Sequence, residues 1–233
     1  MGVSGSLSRV YVVEVDSMDV TAFALFPTRL VTIQFPDIAP LNDELCHLFR
    51  TRSEFTAGFN MHPDALNLLR LADTVPAIAR LREMFVEGVR RWLAVEGLAG
   101  PEGLDLVLFS NYAAKGEFTL VHNHNADLVG IYYARTASPD RPPVHESGDT
   151  DDYFEPGDGV LVLHDPRFNA NLAAVGHRDH VKIYPRPGLM LVFPGYLWHS
   201  VTPHLGDFRR LSFSMNITLR WPGGSVAERQ LLT

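Results

Sequence analysis

Cysteine is nearly absent from this chain of 233 residues: Cys46 stands alone. That excludes an internal disulfide framework and a thiolate zinc knuckle. In the helical pattern Leu41–Arg50, Cys46 reads as a small buried hydrophobe. Lysine is scarce too, with only Lys115 and Lys182 among 20 basic residues. No surplus of positive charge exists: 27 acidic residues give a net charge of −7 and an isoelectric point near 5.8. Such a chain is poorly suited to phosphate backbones or anionic membrane surfaces, so neither nucleic acid nor membrane is expected as a partner. No apolar stretch approaches the roughly 18 residues of a membrane-spanning helix. The first residues lack a basic region leading into an apolar run, and a cytoplasmic protein is expected. What remains, 46% hydrophobic and 20% charged, is the composition of a soluble globular fold.

Two textures divide the chain. Residues 1–100 read as a mixed, mainly helical support region. A short strand covers Leu30–Gln34, and Asn42 is placed to cap a helix through Leu45, Leu48 and Phe49. A second short helix is expected from Pro63. The clearest helix follows an N-cap at Thr74, carries Pro76 in its first turn and stops at Gly97. Its Ile78, Leu81, Phe85, Val89 and Trp92 recur at the three-or-four spacing of one buried face. Residues 101–222 change to seven short β-type runs separated by turns, the pattern of a sandwich or barrel. Residues 223–233 form a tail, and the whole is expected to be one structural unit.

Eight of the ten histidines lie from position 122 onward. The sharpest local feature is His122-Asn123-His124, with Asp127 close behind. Residues two apart on a strand share a face, so both imidazoles can meet one ion, and a carboxylate can join them. Alone, such a pair more often describes two ordinary hydrogen-bonding histidines. His199 follows a strand ending at Phe193-Pro194, and Trp198 beside it reads as a packing wall. His204, in a loop, reads as solvated. Arg210 and Ser212 are two apart and share a face; Arg209 points the other way, toward a surface ion pair.

A non-haem iron site needs imidazoles and usually a carboxylate on one face, leaving positions for a chelating cosubstrate and dioxygen. A keto acid such as 2-oxoglutarate also needs a fixed cation for its distal carboxylate. Arginine offers the planar fork and keeps its charge when buried. Ser212 would add a hydroxyl donor.

These residues carry a resemblance. The HxH before Leu128-Val129-Gly130-Ile131-Tyr132-Tyr133, then FPGYLWHSVTPH from 193 to 204 and RLSFSMNI from 210 to 217, resemble the 2-oxoglutarate/Fe(II)-dependent oxygenase superfamily. More narrowly they are similar to a bacterial and phage branch that carries an HxH element. The likeness spans about residues 22–220 and includes the early FALFPTRLV segment. It implies a mostly β fold, a double-stranded β-helix (jelly-roll, cupin-like) core supported by N-terminal helices. It implies Fe(II) and dioxygen, with 2-oxoglutarate as cosubstrate. By position, His122 becomes the proximal iron ligand, His199 the distal one and Arg210 the 2-oxoglutarate anchor. Asn111 and Tyr133 fall where neighbours of the cosubstrate lie. His164-Asp165-Pro166-Arg167 resembles the branch's Asp-Pro-Arg element, which either orients substrate or stabilises a turn.

Position 124 departs from the superfamily's usual HxD. His124 itself can ligate, Asp127 can reach round to restore a carboxylate, or only two protein ligands remain, as in the halogenases. The resemblance implies hydroxylation of a small molecule, amino acid or peptide, with release of succinate and carbon dioxide. Two rivals stand beside it: a cupin-like three-histidine metal dioxygenase or hydrolase without 2-oxoglutarate, and a non-enzymatic β-sandwich binding a small ligand or metal. The acidity itself is local. Residues 138–158 hold seven acids against Arg141, a net −6, so the rest of the chain sums to −1. That loop is expected to be either a lid over the pocket or a solvated insertion.

Overall fold

The computed structural model describes residues 9–15, 18–23, 27–52, 67–137, 144–146, 158–167 and 179–222. Its elements are β1 (Arg9–Val15), β2 (Met18–Phe23), β3 (Val31–Gln34), α1 (Ala39–Thr51), a 3₁₀ turn (Leu68–Leu71) and α2 (Pro76–Val95). There follow β4 (Gly103–Ala113), β5 (Thr119–His122), β6 (Leu128–Arg135), β7 (Val144–Glu146) and β8 (Leu161–His164). Last come β9 (His180–Ile183), β10 (Leu189–Pro194), β11 (His199–Val201) and β12 (Arg210–Arg220). The strands form a hairpin β1–β2 and two five-stranded antiparallel sheets, ordered β3-β10-β6-β12-β4 and β5-β11-β8-β9-β7. The two sheets face one another, which is the double-stranded β-helix expected from the sequence.

All seven β-type runs are strands. Strand β6 is buried at seven of its eight positions because both of its faces are covered. Val129, Ile131 and Tyr133 meet Leu161, Leu163, Ile183, Leu191 and Phe193 between the sheets. Leu128, Tyr132 and Ala134 face the helices, where α1 and α2 bury Leu45, Phe49, Ile78, Leu81 and Phe85. Burying a side chain of this size contributes about 1.5–3 kcal/mol, so this helix-on-sheet layer stiffens the larger sheet. Gly130 permits the close approach: a Cβ there would lie 2.5 Å from the Phe85 ring.

The helix starts differ from expectation. Helix α2 is capped by Val75, with Pro76 setting the first helical φ, while Thr74 Oγ1 donates to Leu71 O at 3.3 Å. It ends at Val95, two residues before Gly97 at φ +67°. Helix α1 begins at Ala39, ahead of the expected cap. Asn42 lies inside it, buried, accepting from the Tyr132 hydroxyl at 2.6 Å. The helix expected from Pro63 and most of the acidic loop fall outside the described residues; β7 and Asp158 are the loop's described parts. No helix among the described residues is long and apolar enough to cross a membrane.

Candidate metal centre

Strand register builds the site. On the smaller sheet His199 pairs with His122 on one side and Leu163 on the other, so one row of β5-β11-β8 carries two imidazoles. The next row carries Thr119, Val201 and Leu161. On the larger sheet Ser212 pairs with both Asn111 and Tyr133, and Ser214 with both Phe109 and Ile131. These rows face each other across a small cavity, with Arg210 also in its lining. The cavity therefore gathers His122, His124, His199, Arg210, Ser212, Tyr133 and Asn111, all named from the sequence.

His124 enters from the turn after β5. Its N–H donates to Gly195 O at 3.0 Å, while Gly195 N–H donates to Asp127 O at 3.0 Å. Gly195 is needed for this clasp, since a Cβ there would fall 2.0 Å from Ala126 O. The His124 ring stacks on Phe109 and is nearly coplanar in tilt with His199, 1° apart, their Nε2 atoms separated by 3.3 Å. The ligating atoms of His122, His124 and His199 all lie within 4.8 Å of one another.

The chemistry of this donor set fits a divalent metal. His122 Nδ1 lies 2.8 Å from Leu120 O and His199 Nδ1 lies 2.9 Å from Leu197 O. Each Nδ1 must donate to its carbonyl, which leaves Nε2 with a free lone pair and fixes the ring. Burial lowers His199 to about 3, opposed by the hydrogen bond to Leu197 and aided by the neighbouring histidines. Burial and His122 lower His124 to about 4, against the side chain of Asn216. Both rings are neutral at physiological pH, the form that binds a metal.

Asp127 Oδ2 accepts the Leu219 N–H at 2.7 Å, which ties the end of β12, and among the described residues the grouped ligating atoms are those of the three histidines. Arg210, 4% exposed, donates from Nη1 to Gly159 O at 2.8 Å, while its buried Nε has no hydrogen-bond partner. Burial lowers its affinity for the proton, against the Tyr133 hydroxyl and Asp158. Burial raises the Tyr133 hydroxyl to about 12, so it stays protonated and able to donate. Asn111 Nδ2 donates to Ser214 Oγ at 3.2 Å.

Other expectations change. Among the described residues Arg209 has no ion-pair partner; it donates to Tyr112 O at 3.1 Å and lies over the Tyr112 ring. Trp198 is no packing wall but 45% exposed. Asp165 and Arg167 make a three-bond turn, with Arg167 N, Nε and Nη2 donating to the carboxylate. They line a second groove, outside the histidine cavity. His204 is 1% exposed, not solvated. Phe109 and Thr119 were not named from the sequence, although Phe109 sits two residues before Asn111 and shares its face by strand period.

Residues 108–216 match a family model described as "Putative 2OG-Fe(II) oxygenase". No curated protein sequence matches the chain significantly. Among solved structures, the chain is similar to a Trichoplax adhaerens prolyl hydroxylase in complex with a hypoxia inducible factor oxygen degradation domain peptide. That match has 16% identity, 88% coverage of this chain, 87% of the other and a TM-score of 0.53. It is also similar to iron-bound HygX of Streptomyces hygroscopicus, at 15% identity, 82% and 83% coverage and a TM-score of 0.51. These structures share the double-stranded β-helix fold of this chain, and its residues 108–216, which hold the converging histidines, are similar to the 2OG-Fe(II) oxygenase family model.

Proposed function

We propose that this chain is a mononuclear non-haem metal oxygenase in which His122, His124 and His199 hold iron. In this reading 2-oxoglutarate is the cosubstrate and Arg210 anchors its distal carboxylate. The observation that carries the proposal is one cavity holding three imidazoles and a buried guanidinium whose Nε is unpartnered. Iron, when bound with the keto acid and dioxygen, supplies the oxidising chemistry: 2-oxoglutarate leaves as succinate and carbon dioxide, and one oxygen atom enters the substrate. Hydroxylation of a small molecule, amino acid or peptide is the outcome proposed.

The chain's own residues bind and orient. The Leu120 and Leu197 carbonyls fix two of the imidazole rings. Ser212 lies on the face of β12 that carries Arg210, placing a hydroxyl donor beside the guanidinium. Tyr133 adds a second protonated hydroxyl. Phe109, Ile131 and Val201 give the cavity apolar walls, which exclude water and strengthen each charged contact.

A second reading has its own observation. Three histidines with no carboxylate are the donors of a metal dioxygenase or hydrolase that works without a keto acid. Taken alone, the donor set favours this reading over the usual two-histidine, one-carboxylate triad. There substrate would bind the metal directly and Arg210 would hold a substrate anion. Arg210 is the residue that argues for the first. Anaerobic titration with Fe(II) and 2-oxoglutarate separates them. The first reading expects the visible charge-transfer band of a chelated keto acid, and succinate once oxygen is admitted. Folded, iron-loaded protein showing neither would leave the second reading standing, and folded protein that retains no metal would overturn both.

A further inference from the structure

The guanidinium of Arg210 is held from one side by a turn that is itself tied down by a buried pair. Gly159, at φ +61°, presents its carbonyl to Arg210 Nη1 at 2.8 Å. A Cβ on Gly159 would lie 2.9 Å from that same nitrogen, so only glycine lets the backbone come so close. The residue before it, Asp158, has one carboxylate oxygen 2.7 Å from His204 Nδ1 and accepting the Leu205 N–H at 2.9 Å. His204 Nε2 lies 2.5 Å from Phe208 O. Both ring nitrogens thus face oxygen atoms, one of Asp158 and one of Phe208. Backbone bonds continue the attachment: Gly159 N–H donates to Pro203 O at 3.1 Å and Val160 N–H to Thr202 Oγ1 at 2.9 Å. Of these groups, the Gly159 carbonyl is the one that hydrogen-bonds Arg210, so His204 and Asp158 act on it through the turn.

We propose that His204 and Asp158 are positioning residues for the anion-binding guanidinium of Arg210, fixing the Asp158-Gly159 turn so that Nη1 is occupied and Nε is left for the incoming carboxylate. The pair is separate from the histidine cluster, and its effect falls on the anion end of the cavity. The inference rests on the proposed cosubstrate reading. The carboxylate of Asp158 also lies near Arg210. Its hydrogen bonds go to the His204 ring and the Leu205 N–H, and the Arg210 Nε is left without a partner.

The test uses the full chain loaded anaerobically with Mn(II), and measures dissociation constants for Mn(II) and for 2-oxoglutarate separately, together with the melting temperature. His204→Gln and Asp158→Asn are each expected to weaken 2-oxoglutarate by about tenfold, equivalent to about 1.4 kcal/mol, with Mn(II) affinity unchanged. The double variant should be no weaker than the worse single one, because the two act as a unit. Arg210→Met should abolish 2-oxoglutarate binding. A merely structural role would lower metal and cosubstrate affinity together, and that result would overturn the inference. So would unchanged 2-oxoglutarate affinity in both single variants alongside its loss in Arg210→Met. Wild-type protein that binds Mn(II) but no 2-oxoglutarate would overturn the cosubstrate reading, and this inference with it. If His204→Gln does not fold, the isosteric Asp158→Asn decides.

Discussion

Strand β12 has two buried faces of opposite character. Leu211, Phe213, Met215 and Ile217 point to the helices and join the larger apolar core. Arg210, Ser212 and Ser214 are also buried, yet they line the histidine cavity. Equal burial therefore means different things one residue apart. The helix-facing row is covered by packing and stabilises the fold. The cavity-facing row is a cluster of polar groups removed from water, which costs stability unless something pairs with it. A row of that kind is retained for what it binds.

The largest expected effect tests this difference directly. Phe213→Ala should lower unfolding free energy by about 3–5 kcal/mol, since it opens a cavity against Phe49. Arg210→Met, its near neighbour, should leave thermal stability unchanged or raised while removing 2-oxoglutarate binding. Urea unfolding with cosubstrate titration measures both. A strongly destabilised Arg210→Met that still binds 2-oxoglutarate would reverse the roles assigned to the two faces.

Gly130→Ala comes next, with an expected loss of about 1–3 kcal/mol, because the new methyl must displace the Phe85 ring. Thermal unfolding reads it, and a neutral result would mean that helix α2 can shift freely on the sheet. Asp127→Ala should cost about 1–2 kcal/mol by leaving the Leu219 N–H without its acceptor, with metal affinity retained. The smallest effect is a pH dependence. His124 and His199 are held below their unfolded value of 6.5, so the unfolded chain takes up protons first as pH falls. Metal-free protein should therefore hold its full stability from these two groups above about 6.5 and lose it progressively toward about 3. Melting curves across that range check it; a melting point that rises on acidification would contradict the sign.

Much of this was legible because strand periodicity is local. Spacing of two put Arg210 beside Ser212, and the apolar runs marked each long strand. Spacing also let His122 and His124 meet one ion, and the resemblance added His199. What was not legible depended on distant partners. Nothing near Asp127 shows that its carboxylate will meet the Leu219 N–H, 92 residues away. Asn42 looks like a helix cap until Tyr132, 90 residues on, donates its hydroxyl to it. His204 looks like a loop residue until Asp158 and Phe208 enclose it. Strand β11 has three residues, too short to show a period, and exists because β5 and β8 flank it.

The central claim is that three histidines form the metal centre, with no carboxylate joining them among the described residues. It is tested most directly by Co(II) dissociation constants for His122→Ala, His124→Ala, His199→Ala and Asp127→Ala, each compared with the wild type at matched folding. Each histidine variant should lose at least about tenfold in affinity, while Asp127→Ala should bind as the wild type does. Undiminished binding by His124→Ala, with affinity lost in Asp127→Ala, would contradict the account.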